Sequence, residues 1–412
     1  MTRYCDPAME IEYFTDSYPP MRDGVAAMTS GLARTMARMG HRVRVFAPSP
    51  LAGAPTEEIT RDGVLVRRLR SVPVPLYGQY RWPLFPFDLL RSARGGRDAD
   101  IVHIHTPGPL GNMGFLTSRR FGPPLVGTFH TNLKEMRDAV PQKFLVPLFF
   151  RVAWWWNLGT YWRCDVTTTP SGAAKAALLS GARKPFRHPV EVVPNGIDVN
   201  RFRPDARVPD WRTRCGLPSD PLVTYLGRLT VDKGIHRFLD AVSEALDTTD
   251  LVAIVGGLGP EEESVRARLS RDPRLASRVR YVGPVAEEEK AALLAQTNLF
   301  VLPSTSDTSS VVLLEAMACG AMVVAPDVGG PAEIVQDGVT GRRVPMMAPG
   351  ALREAIVDLV DRPAELRAVG GRAAEFVRRN ASLDTMARRF ISLYSLARER
   401  RLPSYGRSPL GA

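Results

Sequence analysis

The chain has 412 residues, too many for one ordinary hydrophobic core, so two domains are the default. A composition of 44% hydrophobic and 24% charged residues, without a low-complexity block, excludes a disordered or fibrous protein. The net charge of +11 comes from scattered basic residues, only six of the 54 being Lys, which excludes a nucleic-acid patch and leaves mild attraction to anionic substrates or an anionic membrane surface.

Short apolar strands alternate with amphipathic helices from end to end, which predicts parallel sheets covered on both faces. The first strand is expected at 11–14. The loop 15–24 follows it and leads into a long helix at 25–39, where Gly24 lets a substrate approach the helix start closely. Further strands are expected at 42–46, 64–69, 101–104, 125–129 and 166–169. Histidines 103, 105 and 130 stand at strand ends on one side of the sheet, and His130 is the candidate site residue among them. The most apolar stretch, 144–162, is interrupted by Pro147, Arg151, Asn157 and Gly159 and is too polar to cross a bilayer. Cys5, Cys164, Cys215 and Cys319 form no metal or redox pattern, which points to a reducing, cytoplasmic compartment, and no secretory signal precedes the first strand.

The alternation pauses over 191–209, where Pro194-Asn195-Gly196 marks a turn and a Pro-containing linker follows. A second series of strands is expected at 222–226, 251–255, 279–281, 299–302 and 322–325. The predicted organisation is an N-terminal domain over 1–194, a C-terminal domain over 195–384, a last helix at 385–400 packing back toward the first domain, and a disordered tail over 401–412. In doubly wound sheets, ligands sit at the carboxyl ends of the strands.

Two loops of the second series carry chemistry. Gly227-Arg228-Leu229-Thr230-Val231-Asp232-Lys233-Gly234 places two cations at the end of the 222–226 strand, which suits a diphosphate. After the 299–302 strand, Asp307 and Glu315 stand eight positions apart, with a helix starting near Val311 and capped by Ser309 or Ser310. The helix start suits a phosphate, and Glu315, one turn inside, can accept from neighbouring hydroxyls. The Gly-rich run Gly256-Gly257-Leu258-Gly259 shapes the cleft; the acids Glu261 to Glu263 at the next helix start argue against a phosphate there.

Taken together, Val193-Pro194-Asn195-Gly196-Ile197-Asp198, Gly227-Arg228 to Lys233-Gly234, Tyr281-Val282-Gly283, and Asp307 to Glu315 with Ala316-Met317-Ala318-Cys319-Gly320 resemble glycosyltransferase family four. The resemblance covers nearly the whole chain in order. It implies the GT-B fold, two Rossmann-like α/β domains facing a central cleft, and a retaining, metal-independent transfer of a hexose-type sugar from a UDP- or GDP-sugar to a hydroxyl acceptor. Arg228, Lys233 and the helix start at Ser309, Ser310 and Val311, with Gly24, would hold the donor diphosphate. Glu315 would bind the ribose, Tyr281 and Val282 would frame the base, Asp307 would contact the sugar, and His130 would sit at the reacting centre. No metal and no cofactor is expected. Two departures bear on specificity: the family usually has Glu-Gly-Phe-Gly where this chain has Asp307-Thr308-Ser309-Ser310, and a Gly-Gly pair where it has Asp23-Gly24.

The acceptor is either a membrane lipid, such as diacylglycerol or phosphatidylinositol, or a small-molecule natural product. The aromatic stretches 76–87 and 149–156 are either a lipid-facing surface, giving peripheral contact with the inner membrane face, or a packed loop and a buried helix. The alternatives to a transferase are a GT-B nucleotide-sugar epimerase and a non-catalytic nucleotide-sugar-binding protein.

Overall fold

Each strand expected above is present, because both sheets are covered on both faces and their strands are apolar on both, whereas the most apolar stretch forms the helix Val146–Trp162. The computed structural model describes residues 7–21, 23–50, 56–74, 77–83, 98–130, 146–182, 184–206, 209–305 and 307–401. The chain divides into two units, Met1–Gly196 with Leu383–Ala412, and Ile197–Ser382. The last helix, Leu383–Arg401, belongs to the first unit, and the expected tail lies, from 402 on, outside the described residues.

The first unit contains β1 (Glu10–Phe14), β2 (Arg42–Pro48), β3 (Thr56–Ile59), β4 (Leu65–Leu69), β5 (Ser71–Val74), β6 (Tyr77–Pro83), β7 (Ile101–Ile104), β8 (Leu125–Thr128), β9 (Val166–Thr169) and β10 (Val190–Val192). Its main sheet has the order β10-β9-β8-β7-β1-β2-β4-β3 and is parallel except for β3, which runs antiparallel to β4. The strand order reverses between β1 and β7, where Phe14 pairs with Ile104. Such a reversal opens a crevice at the carboxyl ends of the strands, and the 15–24 loop starts there. The last helix buries Met386, Phe390 and Tyr394 in one cluster with Tyr13, Leu32 and Met36. Each large apolar side chain so buried contributes about 1.5–3 kcal/mol, which fixes that helix in this unit.

The second unit contains β11 (Leu222–Leu226), β12 (Val252–Gly256), β13 (Val279–Gly283), β14 (Leu299–Val301), β15 (Met322–Pro326) and β16 (Arg342–Val344). All are parallel, in the order β13-β12-β11-β14-β15-β16, the doubly wound dinucleotide-binding arrangement. Successive residues face opposite sides, so Val223, Tyr225, Val255 and Val301 pack with Phe238 and Leu239 of helix Ile235–Ala245. Leu226, Phe300, Leu302 and Val323 pack with Leu313, Leu314 and Met317 of helix Val311–Ala318 on the other face. The strand order reverses between β11 and β14, so the loops after these two strands flank the crevice.

Candidate functional site

In the second unit the two loops that sequence marks as chemical meet at that crevice. Gly234 has φ +74°, and a Cβ there would collide with the Pro303 carbonyl oxygen, so only glycine lets the loop after β11 lie against the loop after β14. Thr305 N donates to the Asp232 carbonyl at 3.0 Å across the same seam. Lys233 Nζ therefore reaches Asp307 Oδ1 at 2.8 Å and lies 3.8 Å from Asp232 Oδ2. Asp307 Oδ2 is buried and has no hydrogen-bond partner. The exposed Arg228 stands at the other end of the loop, its carbonyl held by the Tyr225 hydroxyl at 2.7 Å. The Gly-rich run does shape this region: a Cβ on Gly257 would strike the Gly227 carbonyl oxygen.

Helix Val311–Ala318 begins at Ser310, whose Oγ accepts from Leu313 N at 3.4 Å; of the two expected caps, Ser310 is the one used, and Ser309 stands just outside. The first amides of the helix, starting with Val311, are the groups available to an anion. Inside the helix Glu315 is 3% exposed. Its Oε1 lies 2.8 Å from Lys290 Nζ, while Oε2 is buried without a hydrogen-bond partner. Burial pushes the Glu315 carboxyl up, and the Lys290 ammonium works against that shift. Lys290 also bonds Glu287 at 2.8 Å, and Glu287 pairs with Arg201 at 3.4 Å. Burial lowers the Lys290 pKa, but the Glu315 and Glu287 carboxylates outweigh it and hold the ammonium above its ordinary value.

Sequence reasoning missed Lys290 because its partner is 25 positions away and no local spacing marks the pair; its place among only six lysines was the one available signal.

Tyr281 and Val282, expected together, lie on opposite faces of β13. Tyr281 packs with the Val223 and Val255 face, donates to the Gly257 carbonyl at 2.9 Å, and lies under the Arg266 guanidinium at 4.5 Å. Val282 packs on the other face with Val285, and Val285 also joins the cluster of helix Val311–Ala318. The structure thus brings Val282 and Val285 to the side that carries Glu315 and leaves Tyr281 on the other.

Gly24 and His130 belong to the first unit. Gly24 is the exposed first residue of helix Gly24–Arg38, and Asp23 caps that helix by accepting from Ala26 N at 2.9 Å. Asp16, at the crevice of this sheet, accepts from Thr106 Oγ1 at 2.7 Å and from Leu110 N at 3.1 Å, at the start of helix Pro109–Phe121. Burial pushes its carboxyl up to about 6 against those hydrogen bonds. His130 follows β8, and its Nε2 lies 3.4 Å from His105 Nδ1. Burial pushes its pKa down to about 3, so the ring is neutral and serves as a hydrogen-bonding group, not a cation. His103 is structural: it bonds Tyr394 Oη at 2.8 Å and Thr128 Oγ1 at 2.7 Å.

An Asp-x-Asp pattern, Asp98-Ala99-Asp100, stands at the amino end of β7, away from these loops, where Asp100 Oδ2 accepts from Glu10 N at 2.9 Å. Among the described residues no group of three His, Cys, Asp or Glu is arranged to hold a metal ion. Helix Val146–Trp162 exposes Trp155 and Trp156, the latter donating to Asn112 Oδ1 at 2.9 Å; the rings of Phe149 and Phe150 and residues 84–87 lie outside the described residues. No described helix is long and apolar enough to cross a membrane.

Residues 22–201 match the model of Glycosyltransferase Family 4, and residues 220–362 match that of Glycosyl transferases group 1. A GDP-mannose-dependent alpha-mannosyltransferase of Mycolicibacterium smegmatis is 30% identical over 81% of this chain and 84% of its own length. A D-inositol 3-phosphate glycosyltransferase of Acidothermus cellulolyticus is 31% identical over 86% and 82%. Among solved structures, a sucrose-phosphate synthase from Thermosynechococcus elongatus matches with a TM-score of 0.73 at 21% identity, over 94% of this chain and 98% of that one. Anabaena HepE in complex with UDP-glucose matches with a TM-score of 0.71 at 19% identity, over 94% and 99%. The shared fold is GT-B, as the sequence resemblance implies.

Proposed function

We propose that this chain, which belongs to glycosyltransferase family 4, moves a hexose-type unit from a UDP- or GDP-sugar to a hydroxyl acceptor with retention at the anomeric carbon. The observation that carries this reading is the pair of buried, unpartnered carboxylate oxygens, Asp307 Oδ2 and Glu315 Oε2, on either side of the helix start at Val311. A buried acceptor left empty costs about 1–3 kcal/mol, so two of them flanking an anion-binding helix end suit a ligand that brings hydroxyls on both sides of a diphosphate. A nucleotide sugar has that layout. Its ribose hydroxyls would donate to Glu315 and its sugar hydroxyls to Asp307.

Arg228, Lys233 and the first amides of helix Val311–Ala318 would stabilise the departing diphosphate as its charge develops. The acceptor oxygen forms its bond to the anomeric carbon on the face from which the diphosphate leaves, and a diphosphate oxygen takes the acceptor proton. Neutral His130 would hydrogen-bond at the reacting centre, and Val282 with Val285 would frame the base. With two cations and a helix end placed for the leaving group, we propose turnover without a metal: EDTA should leave it unchanged, and rescue by Mg²⁺ after its loss would overturn the point. For the acceptor, exposed Trp155 and Trp156 in a basic chain support a membrane lipid.

The test is incubation with UDP-, GDP- and dTDP-sugars and lipid, inositol-type or aglycone acceptors, reading released nucleoside diphosphate and, by NMR, the anomeric configuration of the product. Inversion at the anomeric carbon would refute retention. Epimerised nucleotide sugar without transfer would identify an epimerase, and binding without turnover a binding protein.

A further inference from the structure

Resting on the reading that Glu315 receives the ribose, we propose that Lys290 is a positioning residue of that site: by gripping Glu315 Oε1 it keeps the carboxylate charged and leaves Oε2 as the acceptor for the ribose hydroxyls. Glu315 is 3% exposed, and an isolated carboxylate so buried takes up a proton more readily than one in water. A protonated Glu315 would offer a donor where the ribose also brings donors. Lys290 Nζ, 2.8 Å away, is the one described cation in direct contact with it.

The surroundings explain why the lysine stays charged and in place. On helix Glu287–Gln296, Glu287 Oε1 accepts a second hydrogen bond from Nζ at 2.8 Å. Arg201 reaches Glu287 at 3.4 Å, so a second cation stands behind the first. The Phe202 ring lies 5.4 Å from Nζ and packs the approach. At the end of the helix of Glu315, the thiol of the capping residue Cys319 is pushed up by burial and stays uncharged. The four charged groups therefore alternate in sign, Arg201, Glu287, Lys290 and Glu315, and end on the free oxygen of Glu315. Removing the third leaves Glu315 facing Glu287 with no cation between them, and both burial and that neighbour then raise the Glu315 carboxyl.

The readout is discrimination between ribose and deoxyribose nucleotides as pH changes. Affinities of UDP, GDP, dUDP and dGDP are measured by calorimetry at pH 6, 7, 8 and 9 for the wild type, K290M, K290Q, K290R and E315Q, with thermal unfolding as the folding control. The wild type, titrated alongside, accounts for protonation of the nucleotides themselves. It should prefer ribonucleotides at every pH, and E315Q should lose that preference throughout. K290M should resemble E315Q at pH 6 and recover by about tenfold for each pH unit over the range in which Glu315 ionises. K290R should stay close to the wild type, and K290Q carries the same expectation as K290M if the latter does not fold. Preference in K290M and K290Q that equals the wild type at every pH would overturn the proposal. So would a loss that is equal for ribo- and deoxyribonucleotides and independent of pH, because Lys290 would then touch another part of the ligand. If E315Q keeps the wild-type preference, the ribose reading itself fails, whatever Lys290 does.

Discussion

Lys233 is the partner of Asp307 at 2.8 Å and, on the function proposed above, also a cation for the diphosphate. Lys233→Ala should therefore lower kcat/KM by roughly 10- to 100-fold, the equivalent of a charge-assisted contact worth about 1.5–3 kcal/mol. It also strands a mostly buried carboxylate, so a fall in unfolding midpoint should accompany it; near-normal kcat/KM would remove Lys233 from the site. Asp307→Glu restores the residue usual in the family but adds a methylene, which moves the carboxylate by about 1 Å. With Lys233 and the Gly330 amide, which donates to the Asp307 carbonyl at 3.0 Å, set around the shorter acid, activity should fall or sugar preference change while free nucleoside diphosphate binds as before. Unchanged activity and preference would make Asp307 a mere stand-in. These residues were legible because their spacing runs along one loop and one helix. Lys290 and the neutral state of His130 were not, because each depends on which distant groups the fold brings near.

At the level of elements, strands buried on both faces were legible from their apolar runs. β3 was not, because Thr56–Ile59 is exposed along its whole length, and β16, an edge strand, is three residues of which two are arginine. The helix at Val311 was legible from its cap residues, and the choice of Ser310 over Ser309 awaited the backbone. Contact between the loops after β11 and β14 was invisible in sequence, and it hangs on Gly234. Gly234→Ala would put a Cβ into the Pro303 carbonyl at a positive φ, so the loops must separate. Strain of that kind costs about 1–3 kcal/mol, and because it parts Lys233 from Asp307, turnover should fall further than stability does. Wild-type kcat with a lowered unfolding midpoint would show that the seam supports the fold and not the site.

The pause in alternation near 195 is legible in the sequence, whereas the packing of Phe390 and Tyr394 of the last helix against Tyr13, Leu32 and Met36 is a long-range contact that no local pattern marks. That packing encloses His103 and His105, and with His130 they make three neutral buried imidazoles in one unit, each shifted down chiefly by burial. In the unfolded chain these rings take up protons below about pH 6.5, while the folded chain holds His130 unprotonated to about pH 3. The unfolded state therefore binds more protons throughout that window, and stability is lost as pH falls through 6.5, by up to about 1.4 kcal/mol per pH unit for each histidine. Carboxyls raised by burial act in the opposite sense. Asp16, at about 6, and Glu12 bind protons earlier in the folded chain, so their contribution grows as pH falls. Asp16 counts for little above pH 6, where its carboxyl is mostly ionised in both the folded and the unfolded chain, and the three histidines outweigh it between pH 6.5 and 6. The unfolding midpoint should accordingly drop as the buffer goes from pH 7 to 6, and then fall less steeply than three histidines alone would require. His105→Gln should flatten the first part of that fall by about a third, since one of three proton-linked groups is gone. A midpoint that is level or rising from pH 7 to 6 would mean that the imidazoles are not held neutral.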